Sequence, residues 1–230
     1  MVYAIRLSYT RGMKTRGQRP RRKKLIWSPE FAYAVGLLVT DGSMSKDGRH
    51  FDFTSNDIEQ LKNFMKCLDI NVKIGYKKSG YSGKISPHVQ FGDVVLYDFL
   101  LTIGIMPNKT KIIGELVMPK EYFFDFLRGH HDGDGCFYSY WDPRWKSSFM
   151  YYLTFVSASK NHIIWLQDKI NEYGKVRGRV SKNKSHYQLR YAKKESLVVL
   201  RKMYYSKKVI CLSRKRLKIE KALSIVDEHL

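Results

Sequence analysis

Apolar residues recur along this chain at two different spacings, and the alternation between them lays out its elements. The stretch from Ser28 to Thr40 is apolar on nearly every face and opens on Ser28-Pro29-Glu30. Serine suits a helix N-cap, proline the first helical position and glutamate the first turn. A helix is therefore predicted up to Thr40, ending at Asp41-Gly42. From His50 to Thr54 the pattern has strand period, with Phe51 and Phe53 on one face and His50, Asp52 and Thr54 on the other. Asn56 to Leu68 sets Ile58, Leu61, Phe64, Met65 and Leu68 on one helical stripe. Strands are predicted at 72–78 and 88–91 around a Gly/Ser-rich turn, then a helix at 94–103 and a turn at Pro107-Asn108-Lys109.

The same order then returns. A helix from Tyr122 to Gly133 leads into Asp134-Gly135, followed by a strand at 151–157, a helix at 161–173, strands at 175–181 and 186–191, and a helix at 196–204. A terminal helix begins at Arg214. Phe53-Thr54-Ser55 aligns with Phe155-Val156-Ser157. Asp134 follows Asp41 by 93 residues and Phe155 follows Phe53 by 102, so an inserted loop is assigned to Tyr140–Ser148. The fold class is α+β: a pseudo-twofold pair of αββαββα units, each a four-stranded antiparallel sheet backed by helices. The boundaries are a basic arm over 1–27, a first half over 28–118 and a second half over 119–230.

Charge adds a partner. Lysine and arginine total 42 against 21 acids, a formal net charge of +21. A balance that basic favours a polyanion, nucleic acid first. Residues 1–29 hold no acid, and nine lysines and arginines lie between Arg6 and Lys24. That segment reads as a solvated arm, one that tracks phosphates and orders on binding. No apolar run approaches a membrane span and no secretory signal core is present, so no membrane partner is expected. Cys67, Cys136 and Cys211 are odd in number and widely spaced. This argues against a disulfide framework or zinc finger and for an intracellular setting, cytoplasm or nucleoid, with an organelle as the alternative.

Two nine-residue segments carry the chemistry: Ala34-Val35-Gly36-Leu37-Leu38-Val39-Thr40-Asp41-Gly42 and Leu127-Arg128-Gly129-His130-His131-Asp132-Gly133-Asp134-Gly135. Each has glycine third, aspartate eighth and glycine ninth. Gly36 and Thr40 are spaced i, i+4, as are Gly129 and Gly133, which puts two small residues on one face of each helix and lets the backbones approach. The aspartates would then stand side by side. Paired carboxylates repel, and a divalent metal is the simplest compensation. Alone, either Asp-Gly is readable as a helix stop; two at matched positions argue for a site.

The two segments resemble the paired motifs of the LAGLIDADG homing endonucleases in their single-chain form, over residues 30–220. The resemblance implies a monomeric, site-specific double-strand DNA nuclease. It would hydrolyse phosphodiesters with Mg²⁺, leave short 3′ overhangs and serve intron homing on a long pseudo-palindromic target. Mn²⁺ is expected to substitute, and Ca²⁺ to support binding without cleavage. Asp41 and Asp134 map to the metal-binding acids, with the carbonyls of Thr40 and Gly133 as further ligands. Lys109 and Lys215 map to the lysines near the active-site water; Lys207 and Lys208 compete with Lys215, and each lysine is equally readable as a phosphate contact or a solvated cation. His130-His131 departs from the family, where apolar residues are usual, and Asp132 is expected as a supporting or surface acid. The competing function is an intron RNA maturase or a non-cleaving DNA-binding regulator of the same fold, with intron RNA as its partner in the first case.

In each half the sheet is expected to turn one face to helices and the other to DNA. The DNA face takes His50, Asp52, Thr54, Lys73, Lys77, His88 and Gln90 in the first half, and Tyr152, Thr154, Lys175, Arg177, Arg179, Gln188 and Arg190 in the second. Lysine, arginine and glutamine are side chains that read groove edges; each is equally readable as a phosphate contact. Tyr138, Tyr140, Trp141 and Trp145 either pack on the nucleic-acid backbone or cover the loop's own core.

Overall fold

The computed structural model describes residues 25–78 and 83–230. The basic arm up to Lys24 lies outside them. The first half runs α1 (Pro29–Thr40), β1 (Gly42–Met44), β2 (His50–Thr54), α2 (Ile58–Leu68), β3 (Gly75–Lys78), β4 (Ile85–Gly92) and α3 (Val94–Thr102). The second runs α4 (Phe123–Asp134), β5 (Cys136–Trp141), β6 (Phe149–Ser157), α5 (Lys160–Gly174), β7 (Arg179–Lys182), β8 (Tyr187–Ala192) and α6 (Lys193–Met203), and α7 (Ser213–Leu223) closes the chain. The two sheets are antiparallel and share one order, β1-β2-β4-β3 and β5-β6-β8-β7. The α+β architecture of two αββαββα units is therefore present.

Local chemistry starts the helices where side chains can cap them. Ser28 accepts from the Phe31 amide at 3.1 Å, Asp57 from Glu59 at 3.1 Å and Asp93 from Leu96 at 2.9 Å. The α1 helix is buried from Phe31 to Val39, as its uniform hydrophobicity demands. It crosses α4 at the centre of the molecule, and the sheets flank that pair. Alternation sorts the strands: Phe51, Phe53, Val89, Leu153, Phe155, Leu189 and Tyr191 are buried against the helices.

Four expectations are corrected. The first strand of each sheet had no predicted position; β1 and β5 follow directly on the two Asp-Gly pairs, and β1 is too short to show a period. Tyr140 and Trp141 belong to β5, pairing with Met150 and Phe149, so the insertion lengthens a hairpin and confines the loop to its tip. The strand predicted from Lys175 starts only at Arg179, because Lys175 takes a left-handed conformation (φ 55°) as the C-cap of α5. Lys175 and Arg177 therefore lie off the strand, as Lys73 does ahead of β3. Thr154 stands on the outward row but is fully buried, its hydroxyl donated to the Cys136 carbonyl at 2.9 Å.

The halves are strapped reciprocally. Ser159 and His162 at the start of α5 bond to the carbonyls of Ile113 and Gly114 from the first half. In return, Asn63 and Glu59 of α2 bond to Cys211 and Ser213 from the second. Arg214 reaches Asp57 at 2.8 Å. Arg128 is buried and satisfied threefold: it bonds Asp125 at 2.7 Å and the carbonyls of Met203 and Ile210 at 2.6 and 2.8 Å.

Candidate active site and nucleic-acid face

Glycine sets how closely α1 and α4 approach. A Cβ on Gly36 would stand 2.2 Å from the Phe126 carbonyl oxygen, and one on Gly129 would stand 2.0 Å from that of Tyr33. No larger residue fits at this crossing. Further down, a Cβ on Gly133 would meet Thr40 Oγ1 at 1.9 Å and Asp41 Oδ2 at 2.9 Å. The four interface residues predicted on the two helices thus meet. The Asp41 carboxylate sits across from the backbone that carries Asp134.

Asp41 is the C-cap of α1 and Asp134 the last residue of α4. Burial and then the Asp134 charge push the Asp41 carboxyl up to about 6, with Lys215, Gln60 and Lys109 opposing. Desolvation also raises Asp134, opposed by Lys215 and Lys109. Lys109, only 6% exposed, donates its ammonium to the Gly42 carbonyl. Burial lowers it to about 8 against the pull of Asp41 and Asp134. Lys215 donates to the carbonyls of Gly135 at 2.8 Å, His131 at 2.5 Å and Gly133 at 3.3 Å, and burial lowers it too. Lys207 and Lys208 lie exposed after α6, and neither is among the charges that act on Asp41 or Asp134.

One neighbour, Gln60, went unforeseen, and three residues of α4 lie deeper than a surface reading of them. Gln60 is buried on α2, donates to Asp41 Oδ2 at 3.2 Å and accepts from Ser55 at 2.7 Å. Asp132 is not a surface acid: it is 1% exposed and accepts from Tyr33 at 2.8 Å and the Leu212 amide at 2.7 Å. His130 and His131 are buried as well, neither open to solvent, and desolvation lowers both. A cleft of about 390 Å³ opens beside Asp41, lined by Thr54, Asn56, Gln60, Gly133 and Arg214.

Among the described residues no three His, Cys, Asp or Glu side chains cluster for a metal. The donors at the centre are two carboxylates and backbone carbonyls. Such a hard oxygen set fits Mg²⁺, which keeps water and phosphate oxygens in its remaining positions.

The outward faces of the two sheets differ. On the first, Asp52 gathers Lys77 at 2.6 Å, Gln90 at 3.0 Å, His88 at 3.0 Å and Thr54 at 2.9 Å. Burial works against it, yet the bonds from Lys77, His88 and Thr54 hold Asp52 below the usual carboxylate range. His50 is paired with Asp47. The second face carries Tyr138, Tyr140, Tyr152, Arg179 and Arg190 in place of that network.

No family model and no curated protein matches the chain. Solved structures do. The homing endonuclease I-WcaI bound to its DNA recognition sequence superposes with a TM-score of 0.59 at 13% identity, over 84% of this chain and 86% of that one. The fold is the LAGLIDADG fold. The meganuclease I-AabMI bound to uncleaved DNA gives 0.58 at 14% identity, over 87% and 91%. Full-length DUF199/WhiA from Thermatoga maritima gives 0.55 at 15%, over 86% and 68%. No helix among the described residues is long and apolar enough to cross a membrane.

Proposed function

We propose that this chain is a monomeric, site-specific double-strand DNA endonuclease of the LAGLIDADG homing type, active with Mg²⁺. The observation that carries it is the joining of Asp41 and Asp134 at the foot of the glycine crossing, both facing the charges of Lys109 and Lys215. A fold keeps two carboxylates together, with Asp41 pushed up to about 6, only where something offsets their repulsion. The Asp41 and Asp134 carboxylates, with the carbonyls of Thr40 and Gly133, would hold the cation. Bound there, it supplies charge neutralisation to the carboxylates and the phosphate and activates water. Gln60 fixes the rotamer of Asp41. Lys109 and Lys215 place positive charge where the phosphorane gains negative charge. Each sheet takes one half of a pseudo-palindromic duplex, and short 3′ overhangs result.

The test is incubation of a fragmented genomic or randomised duplex library with the protein, with Mg²⁺ or EDTA, followed by sequencing of the ends. A recurrent Mg²⁺-dependent break with short 3′ overhangs is expected. Sequence-selective retention without a break would favour the regulator, and preference for intron RNA the maturase.

A further inference from the structure

The outward face of the second sheet carries an aromatic cluster that the first sheet lacks. Tyr138 and Tyr152 are cross-strand partners on β5 and β6, their rings 5.1 Å apart and 18° from parallel. Tyr140 joins them at 6.5 and 6.2 Å, with interplanar angles of 5° and 13°. Three tyrosines thus share one orientation on a surface where Tyr140 is 41% exposed. The Arg190 guanidinium lies 5.6 Å from the Tyr152 ring.

The next row of the sheet supplies a second, independent observation. Arg179 and Arg190 are direct cross-strand partners. Like charges placed opposite one another destabilise a sheet, and among the described residues no carboxylate pairs with either. Among the described residues the one side-chain hydrogen bond of the pair runs from Arg190 to the Gln188 amide oxygen at 3.2 Å. An anion across this row would relieve the repulsion.

The first sheet lacks both features. Ser45 and His50 occupy the positions matching Tyr138 and Tyr152, joined by a backbone bond of 2.9 Å. Asp52 and Gln90 are the cross-strand pair matching Thr154 and Arg190. The aromatic ladder and the arginine pair are therefore properties of the second half alone and do not follow from the shared fold.

We propose that this face binds unpaired, single-stranded nucleic acid, stacking bases on Tyr138, Tyr140 and Tyr152 and holding phosphates on Arg179 and Arg190. In a duplex both faces of each base are already stacked, so a tyrosine platform gains little there. A single strand presents free faces to it, and every base has one, which makes the binding sequence-tolerant. The activity is independent of cleavage.

The test uses the full chain in EDTA and fluorescence polarisation of labelled oligonucleotides of about 16 nucleotides, a typical single-strand site. The arms are single-stranded DNA, RNA of the same sequence, an abasic strand of equal length and the duplex. The wild type is expected to prefer base-bearing strands to the abasic one, and the DNA and RNA arms show which source is favoured. Tyr140→Ala and Tyr138→Ala should each cut that preference by roughly 5- to 100-fold, the worth of one stacked base. Tyr140→Phe should retain it, and because Tyr140 is exposed its variants remain informative should Tyr138→Ala unfold. Equal binding of base-bearing and abasic strands by the wild type would overturn the proposal. So would tyrosine variants that lose duplex and single-strand affinity in step, since that assigns the rings to backbone contact. Neither result touches the Mg²⁺-dependent duplex break, which stands or falls separately.

Discussion

Lys215 donates its ammonium to the backbone carbonyl of Gly135 at 2.8 Å, and Lys109 repeats the contact on Gly42. Gly42 and Gly135 are the ninth residues of the two motifs, so each lysine marks the same point in its half. The two arrive by different routes, Lys109 from the turn after α3 and Lys215 from the first turn of α7. Replacement of either by methionine should slow single-turnover cleavage by roughly 10²- to 10³-fold, the usual effect of removing one electrostatic stabiliser. Duplex affinity in Ca²⁺ should change little. Unaltered cleavage in both variants would reduce the lysines to structural pins.

The raised carboxyl of Asp41 makes stability depend on pH. Its folded value of about 6 lies above the ordinary 3.8. Between roughly pH 4 and 6 the folded protein holds a proton that the unfolded chain has released. The stabilising contribution is thus complete below pH 4 and lost as pH rises through 6. Metal-free protein should lose melting temperature across that window, and Asp41→Asn should flatten the loss. At subsaturating Mg²⁺, where the metal-free protein sets the profile, cleavage should rise through about pH 6 as Asp41 ionises and fall above about 8 as Lys109 loses its proton. A flat rate profile from 5 to 9, read by single-turnover kinetics, would contradict both assignments.

The helix crossing tolerates no methyl group. Gly129→Ala puts a Cβ 2.0 Å from the Tyr33 carbonyl oxygen, so the helices must separate at a cost of about 1–3 kcal/mol. Gly114, with open space around its missing Cβ, is the control, and Gly114→Ala should stay within about 0.5 kcal/mol. Denaturant midpoints at constant slope measure both.

Asp52 orders the first sheet's outward face. Asp52→Ala removes one negative charge and frees Lys77, His88 and Gln90. Affinity for random duplex should rise modestly while discrimination among target variants falls, as read by competition binding at fixed salt. Retained discrimination would show that these side chains hold their positions without it.

Much of this was legible in the sequence, and the misses have physical causes. The glycine spacing of Gly36 and Gly129 and the cap Ser28 are short-range signals that act where they are written. Gln60 was missed because the repeat gives it no echo: the matching residue is His162, which turns to Gly114 instead. Its one signal was position, a polar residue in register with Phe64 and Cys67 on a buried stripe. Asp132 stayed readable as either a supporting or a surface acid because its partners, Tyr33 and Leu212, lie far along the chain. The strand expected from Lys175 failed because α5 runs on to Gly174 and puts Lys175 in its left-handed cap, a place usually taken by glycine or asparagine that a lysine does not announce.

The central claim is that Asp41 and Asp134 form one cleavage centre. The direct measurement is double-strand cleavage and nicking of the identified target by Asp41→Asn and Asp134→Asn, each beside duplex binding in Ca²⁺. The account predicts that each variant loses double-strand cleavage by at least about 10³-fold while binding is kept. Wild-type cleavage by either variant would remove that aspartate from the centre and with it the paired-carboxylate account.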